Sequence, residues 1–360
     1  FETLEKIIQN YFSIVLDFKR VSHNEGLAPY FREHLRGKLK KWCNKHVKPD
    51  GTPYNLYTDG LRIYTTINSR LQKFAEQALK EHISSLQKDF YKHWKGSSKA
   101  PFPKDMEWEQ INAIIDQGMR RSERDRKLKK AGKSETEIKA VFKKKVPMTL
   151  FSWAKEIDTV LSPRDSIKYN KYFIHSGMMS MNPNTGMVKA YVGGINHRYF
   201  KYDHVVVGKR QVGSTFKPFL YLSALESGMT PATIYNDAPI VFDDSELETT
   251  WRPQNSSGQF YGPTRLREAL YRSRNLVSVR LLRDLGIQNT IDYLEQLQIP
   301  TEDMQKDLSL SLGSGLLTPM DLARGFAVIA NGGYDVEPYL ISQISDINNE
   351  TIFEAPDVKL

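Results

Sequence analysis

The chain of 360 residues carries 51 Lys and Arg against 42 Asp and Glu, a formal net charge of +9, with 40% hydrophobic and 11% aromatic residues. This composition excludes a disordered chain, and the length allows two or three domains with a sizeable core. No apolar run approaches the roughly 18 residues of a membrane span, and the single cysteine, Cys43, excludes an internal disulfide.

Residues 1–59 form the first predicted region. An amphipathic helical pattern is followed by a polar stretch that ends in Pro49, Gly51 and Pro53, and no catalytic pattern is visible in it. The chain starts at Phe1, with neither an initiator methionine nor a basic segment leading into an apolar stretch. We therefore expect an excised fragment whose export signal and membrane anchor lie upstream.

Residues 60–172 form the second region, in which the pattern predicts a strand at 61–67 and a helix at 71–86. A basic run follows at 120–145, where twelve Lys and Arg against four Asp and Glu supply +8 of the net charge of +9. Because the rest of the chain is nearly neutral, a solvated helical insertion is the favoured interpretation. No nucleic-acid recognition motif accompanies the run, so an anionic phospholipid or a pyrophosphate group would suit it better than DNA.

The third region, residues 173–360, begins with a predicted hairpin. Two short apolar runs, 178–181 and 187–192, flank the turn-rich pentapeptide N-P-N-T-G. We expect this hairpin to begin an antiparallel sheet and helices to pack around it. This arrangement is an α+β fold. Three helices are predicted around this sheet. The first starts at Ser214, the second spans 266–285 and the third spans 319–330.

Ser214 and Lys217 carry the chemistry that the sequence indicates most strongly. A serine hydroxyl is a poor nucleophile until a base takes its proton, and a lysine three residues later on one helix lies on the same face. Burial and the positive end of the helix dipole would lower the lysine pKa, so that the neutral amine accepts that proton. Gly213 permits a sharp turn into the helix and Pro218 is tolerated in its first turn, which favours a strand-turn-helix junction.

The same S-x-x-K spacing occurs twice more in the chain. Ser85 and Lys88 lie in a polar helical run, for which a solvated face is the simpler interpretation. Ser152 and Lys155 follow a lysine cluster and have no glycine at a helix start. Only Ser214 has the context that the chemistry needs.

Ser273 and Asn275 form an S-x-N element in the middle of the predicted helix 266–285. By themselves they would be an ordinary polar interruption of a helix. Because they follow the S-x-x-K element, they resemble the second element of a penicillin-type active-serine site.

Longer stretches carry a resemblance to a known family. They are KYDHVVVGKRQVGSTFKPFLYLSALESG, WRPQNSSGQFYGPTRLREALYRSRNLVSVRLL and LSLSLGSGLLTPMDLARGFAVIANGG. All three look like the transpeptidase domain of class A penicillin-binding proteins of the 1A type, the bifunctional peptidoglycan synthases. GLRIYTTINSRLQKFAEQAL resembles the segment between the two catalytic domains of those proteins. The family usually has proline where this chain has Val212, and the basic run lies outside all four stretches.

The resemblance implies a penicillin-binding or serine beta-lactamase-like transpeptidase fold, in which helices flank an antiparallel sheet. It assigns 1–59 to the tail of a glycosyltransferase domain and its connector, 60–172 to a linker domain, and 173–360 to the transpeptidase domain. No K-T-G or K-S-G triad occurs in the chain, although the family uses that triad in the strand that binds the substrate carboxylate. We therefore expect the triad beyond Leu360, and an incomplete domain that reacts slowly.

The resemblance also implies roles for four residues. Ser214 would attack the carbonyl between the two terminal D-alanines of a stem peptide, with Lys217 as the base. Ser273 would relay a proton to the departing amine, while Asn275 would hold the peptide amide and orient the lysine. Capture of the acyl-enzyme by an amine gives transpeptidation and capture by water gives carboxypeptidase activity; beta-lactams acylate the same serine. This chemistry implies no cofactor and no metal.

The partners expected from the resemblance are stem peptides, a lipid-linked precursor, beta-lactam antibiotics and other cell-wall synthesis proteins. The expected location is the extracytoplasmic face of the bacterial plasma membrane, reached through an anchor outside this chain. Two other functions stay open, a non-catalytic scaffold with this fold and a beta-lactamase. A class A beta-lactamase needs a deacylating glutamate in an E-x-x-x-N segment, which residues 295–299 do not supply.

Overall fold

The computed structural model describes residues 26–244 and 249–356, and part of the first predicted region therefore lies outside the described residues. The strand predicted at 61–67 is shorter than expected and the helix predicted at 71–86 is longer. The first part of the described chain, residues 26–93, contains α1 (Pro29–Lys45), β1 (Arg62–Thr65) and α2 (Ser69–His93).

The middle of the chain forms a small helical unit with one hairpin. Its elements are α3 (Trp108–Arg120), α4 (Glu123–Lys130), α5 (Glu135–Lys143), β2 (Val146–Leu150), β3 (Ile157–Leu161) and α6 (Pro163–Asn170). Strands β2 and β3 pair antiparallel, and Ser162 starts α6 by accepting a hydrogen bond from the backbone N–H of Asp165 at 3.1 Å.

The basic run 120–145 is helical, as predicted, but it is not simply solvated. Helix α5 buries Ile138 and Phe142, which are 3% and 1% exposed, against Met119 of α3 and Ile167 of α6. The two apolar side chains lie four residues apart, on one face of the helix, and that spacing lets them pack together. The run is therefore part of the core of this unit on one side and charged on the other.

The third part of the chain contains the remaining strands and helices. The predicted hairpin is confirmed, with Met178 opposite Val192 and Met179 opposite Tyr191. The strands are β4 (Met178–Met181), β5 (Val188–Val192), β6 (Arg210–Gln211), β7 (Ile234–Asp237), β8 (Phe242–Asp244), β9 (Thr249–Trp251), β10 (Gly262–Arg265), β11 (Leu316–Leu317), β12 (Ile341–Ser345) and β13 (Thr351–Glu354). The helices are α7 (Lys217–Glu226), α8 (Leu266–Tyr271), α9 (Asn275–Leu285), α10 (Ile287–Gln296) and α11 (Pro319–Ala330).

Of the helices predicted in the third part of the chain, one has the predicted bounds and one is wrong. Helix α11 has the predicted bounds, and Thr318 and Asp321 form a capping box at its start. The single helix predicted at 266–285 is wrong, because the chain breaks into α8 and α9 around Ser273, whose φ of 54° is left-handed. The S-x-N element therefore lies at a helix break and not inside a helix.

The strand pairs formed by the named strands are antiparallel throughout the described ranges, in a three-stranded sheet β1–β12–β13 and five two-stranded ladders. Together with the helices this is a mixed α and β fold of the predicted class. No helix in 26–244 or 249–356 is long and apolar enough to cross a membrane.

The first and third parts of the chain are packed together. Strand β1 pairs with β12, and Gln72 of α2 exchanges two hydrogen bonds with the backbone of Tyr191, at 2.7 and 2.8 Å. Gln72 is fully buried, so both bonds are shielded from water. Contacts thus cross the predicted division at residue 172, and the three predicted domains remain a prediction.

A buried cluster of helices lies under the turn that contains Ser214. Phe216, Phe219 and Leu220 of this turn and α7 are fully buried against Leu281 and Leu282 of α9. Burial of five large apolar side chains, at about 1.5–3 kcal/mol each, holds the two helices in fixed relation. Side chains at the start of α7 and of α9 are thereby brought face to face.

Candidate active site

The turn that contains Ser214 is held from outside by the loop at 313–315. The backbone N–H of Gly213 donates to the carbonyl of Gly313 at 3.0 Å, and that of Val212 donates to the carbonyl of Gly315 at 3.2 Å. Gly213 has φ +56°, and a Cβ at Gly313 would lie 2.0 Å from the Gly213 oxygen. Gly213 is therefore favoured by its left-handed φ, whereas Gly313 is required by the close approach of the two backbones.

One helical turn presents a hydroxyl outward and an amine inward. The chain passes from β6 through a 3₁₀ turn, Gly213–Phe216, directly into α7, so the strand-turn-helix junction predicted for Ser214 is confirmed. Ser214 is exposed, whereas Lys217 is 1% exposed and Phe216 is fully buried beside it. The arrangement places a nucleophile in solvent with a shielded base behind it.

The structure brings three of the four predicted site residues into direct contact. The Lys217 Nζ donates to the Ser273 carbonyl at 2.8 Å, to the Ser273 Oγ at 3.1 Å and to the Asn275 Oδ1 at 2.7 Å. All three donors of an ammonium group are used, so its position is fixed. The Ser214 hydroxyl makes no hydrogen bond to the other three within the part of the chain that is described.

The helix break creates this contact. Ser273 closes α8, donating its N–H to the carbonyl of Leu270 at 3.0 Å, while Arg274 donates to the carbonyl of Ala269 at 2.8 Å. These two bonds and the left-handed Ser273 turn the chain, so that Asn275 becomes the first residue of α9. A continuous helix would have kept the Ser273 carbonyl in its own hydrogen-bond ladder, away from the lysine.

Burial lowers the pKa of Lys217 from 10.5 to about 8. The cause is desolvation, which disfavours the charged ammonium. A lysine with this pKa is partly neutral at physiological pH and can accept a proton. The lowered pKa expected from the sequence is thus present, with burial as its cause.

The two other S-x-x-K matches have a different setting. Lys88 and Lys155 are both exposed, and the Ser152 Oγ is bonded to the Lys155 carbonyl at 2.5 Å. Glu295, the carboxylate considered for deacylation, is exposed and accepts a hydrogen bond from the Thr301 hydroxyl at 2.7 Å. None of these groups touches the Lys217 cluster.

Two residues near the cluster were missed in the sequence. The Asn275 Nδ2 donates to the Gln254 carbonyl at 2.8 Å, and the Asn275 N–H donates to the Asn255 Oδ1 at 2.9 Å. Gln254 and Asn255 lie in a loop about twenty residues earlier. They lie in the family-like stretch that begins at Trp251, but a local pattern does not report their role, because that role depends on a contact between distant segments.

Two family models match this chain. A family model described as the penicillin binding protein transpeptidase domain matches residues 177–359. A second model, the penicillin-binding protein middle domain, matches residues 97–174. This second match includes the basic run 120–145, which lies outside the four stretches that carry the sequence resemblance.

Related proteins have the same family name. Penicillin-binding protein 1A from Pseudomonas aeruginosa is 43% identical over 180 residues, which are 50% of this chain and 22% of that protein. Penicillin-binding protein 1A from Rickettsia conorii is 30% identical over 367 residues, covering 94% of this chain and 44% of that protein. The chain thus spans less than half the length of these curated relatives.

Solved structures show the same fold. Penicillin-binding protein 1A from Haemophilus influenzae superposes with a TM-score of 0.62 at 24% identity, over 91% of this chain and 50% of that one. The penicillin-binding protein PonA1 from Mycobacterium tuberculosis, solved with penicillin V, gives a TM-score of 0.55 at 19% identity, over 90% of this chain and 64% of that one. Because the transpeptidase model covers about half of the chain, the chain belongs to the penicillin-binding protein transpeptidase family.

Proposed function

We propose that this chain is the acyl-transfer part of a peptidoglycan synthase, with Ser214 as the nucleophile. The observation that supports the proposal is the buried Lys217, which is held by Ser273 and Asn275 one helical turn behind an exposed serine. A fixed amine with a lowered pKa can serve as the base that a serine nucleophile needs, without a metal or cofactor.

The proposed reaction has two stages. The Ser214 Oγ attacks the carbonyl between the terminal D-alanines while Lys217 takes the hydroxyl proton. The C–N bond breaks, the Ser273 hydroxyl relays the proton from Lys217 to the departing D-alanine amine, and an ester to Ser214 remains while Lys217 is neutral again. An amine of a neighbouring stem peptide then attacks the ester, forms a new amide and returns the proton to the serine oxygen. Water in place of that amine would give carboxypeptidase activity.

The surroundings proposed for the reaction follow from the family. Stem peptides and beta-lactams are the proposed ligands, and PonA1 was solved with penicillin V. The parent protein would carry a glycosyltransferase that uses a lipid-linked precursor, and would work with other cell-wall synthesis proteins. Its proposed place is the extracytoplasmic side of the plasma membrane.

Peptide mapping after treatment with a fluorescent penicillin tests the proposal. We expect one covalent adduct, on the tryptic peptide that contains Ser214. An adduct on Ser85 or Ser152 would contradict the assignment. A label that is rapidly hydrolysed would indicate a beta-lactamase, and a chain that takes up no label would indicate a scaffold.

Acylation should depend on pH in a way that reports the base. The pKa of Lys217 is lowered to about 8, so the neutral form increases as pH rises toward 8. We expect the second-order acylation rate to rise about tenfold per pH unit well below that midpoint and to level off above it. Rates measured from pH 6 to 10 would check this. A rate that is flat or falls over this range would show that Lys217 does not act as the base.

The charged side of the basic run should not be needed for acylation. Lys139, Lys143 and Lys144 are exposed, and replacing all three with glutamine removes charge without disturbing the buried face of α5. We expect the acylation rate to stay within a few-fold of that of the unsubstituted chain, because distant solvated groups make no transition-state contact. The control is Phe142→Ala, which should lower stability by about 3–5 kcal/mol by opening a cavity. A triple variant as slow as Lys217→Ala would contradict the prediction.

A further inference from the structure

The orientation of the Asn275 side chain is set by a loop outside both sequence elements. Its amide nitrogen donates to the Gln254 carbonyl at 2.8 Å, which leaves its oxygen facing the Lys217 Nζ at 2.7 Å. An amide can be rotated by half a turn at little steric cost, so a fixed acceptor for the nitrogen decides which atom meets the lysine. The Gln254 carbonyl provides that acceptor.

The neighbouring Asn255 holds the start of helix α9. Its Oδ1 accepts from the backbone N–H of Asn275 at 2.9 Å and of Leu276 at 3.4 Å. Arg274, at the N-cap position, makes no capping hydrogen bond with its own side chain. Asn255 therefore takes the place of an N-cap residue from about twenty residues away, and satisfies donors that would otherwise be orphaned.

Asp237 fixes the orientation of Asn255 in turn. The Asn255 Nδ2 donates to both carboxylate oxygens of Asp237, at 2.8 and 3.0 Å, and to the Gln259 carbonyl at 2.9 Å. Asp237 is fully buried and Asn255 is 5% exposed. A buried carboxylate accepts hydrogen bonds only, so the Asn255 oxygen must point away from it, toward α9.

Arg274 supplies the positive charge that balances the buried Asp237 carboxylate. The Arg274 Nε lies 3.9 Å from Asp237 Oδ2, and its guanidinium lies 3.3 Å from the centre of the Tyr261 ring. Two further charged residues near the S-x-N break, Glu268 and Arg272, pair with each other at 3.2 Å on the exposed side of α8, and Arg280 of α9 donates to the carbonyls of Ala238 and Pro239. The buried carboxylate therefore keeps an arginine partner while its oxygens hold Asn255.

We propose that Asn255, locked by Asp237, is a positioning residue that holds Asn275 against Lys217. The inference rests on the proposed function, since it assigns a role in keeping the base in place. Asn255 touches neither the nucleophile nor the base. Its effect passes through the backbone of Asn275 and through Gln254, which precedes it in the chain.

The role has a signature that a merely structural contact lacks. Asn275 Oδ1 is an acceptor for the ammonium form of Lys217, so its loss would favour the neutral form and lower the lysine pKa. One hydrogen bond of ordinary strength corresponds to a shift of about 0.5–1 pH unit. Asn255→Ala should therefore move the midpoint of the acylation profile to lower pH. It should also lower the plateau rate by about ten- to a hundred-fold, because a base displaced by about 1 Å reacts poorly.

The test compares Asn255→Ala with Asn331→Ala in the whole chain. Asn331 is a matched control, because its Nδ2 donates to two carbonyls, of Pro183 and Tyr334, and its Oδ1 accepts two backbone N–H groups, away from the site. The measurements are the acylation rate from pH 6 to 10 and the titration of Lys217 by NMR in protein with ¹³C-labelled lysine. We expect both midpoints to fall in Asn255→Ala and to stay unchanged in Asn331→Ala.

Exchanging the side chains of Asp237 and Asn255 gives a second test, which stays valid if Asn255→Ala fails to fold. Asn255→Asp alone places two carboxylates in contact and should abolish acylation. Asp237→Asn with Asn255→Asp restores a donor at 237 and an acceptor at the start of α9, so we expect the double variant to recover at least tenfold over the single one. A double variant that recovers nothing would overturn the proposal, as would Asn255→Ala with both midpoints unchanged.

Failure of this inference can be told from failure of the proposed function. If the parent chain forms the adduct on Ser214 and Asn255→Ala matches Asn331→Ala at every pH, the positioning role is wrong and the function stands. If the parent chain forms no adduct, the proposed function is wrong. The NMR titration of Lys217 still decides whether Asn255 positions the lysine, because it needs no reaction.

Discussion

Replacing Ser214 with alanine is expected to abolish covalent labelling by penicillins completely. The acyl-enzyme is an ester to the Ser214 oxygen, so without that atom no adduct can form, whatever residual binding remains. Intact-protein mass spectrometry after prolonged treatment should show only the unmodified mass. Ser214 is exposed, so the substitution should leave the fold and the thermal unfolding temperature essentially unchanged.

Thr215→Ala is the matched control for this experiment. Thr215 lies next to Ser214 in the same 3₁₀ turn and is also exposed, but its hydroxyl donates to the Val212 carbonyl at 2.5 Å. It should retain the adduct at a rate within about tenfold of the parent, since a local hydrogen bond of about 1 kcal/mol is lost. An adduct that persists in Ser214→Ala and disappears in Thr215→Ala would exchange the two roles.

The sequence was sufficient to predict the part of the site that lies within one helical turn. The spacing of Ser214 and Lys217, with Gly213 and Pro218 on either side, depends only on local backbone geometry, which short-range patterns report. The hairpin at 178–192 and the helix at 319–330 were predictable for the same reason. Each is defined by turn residues or by a capping box close to it in the chain.

The helix break at Ser273 was not predictable from local pattern. Breaks are usually marked by glycine or proline, and here a serine adopts the left-handed conformation without either. The cost of about 1–2 kcal/mol for such a conformation is compensated by contacts with Lys217 and Asn255 from other segments. Those contacts exist only in the folded protein and leave no local pattern in the sequence. Because the apolar periodicity continues on both sides of the break, it predicted one continuous helix.

The basic run shows a different reason for a wrong expectation. Charge dominates its composition, and the four large apolar positions Leu128, Ile138, Val141 and Phe142 are too few to give a strong periodic signal. Yet Ile138 and Phe142 alone, four residues apart, are enough to pack α5 against its neighbours. Composition describes the solvent side of a helix well and can hide a narrow buried stripe.

Lys217→Ala is expected to lower the rate of acylation by about 10²- to 10⁴-fold, the usual contribution of a general base. Removal of the amine leaves the Ser214 proton without an acceptor. Because Lys217 is buried, alanine also leaves a cavity, and a loss of rate by itself would not separate chemistry from packing.

Lys217→Arg makes that separation. Arginine fills the space and can donate to the Ser273 carbonyl and to Asn275 Oδ1, but it stays protonated at every accessible pH and cannot accept a proton. We expect it to be as slow as Lys217→Ala, and to lose the rise in rate below pH 8 that the parent shows. Stopped-flow labelling of the three proteins from pH 6 to 10, with unfolding temperatures measured in parallel, checks both points. An arginine variant that keeps the parent rate would mean that Lys217 serves only as a cation, and that the Ser214 proton leaves by another route.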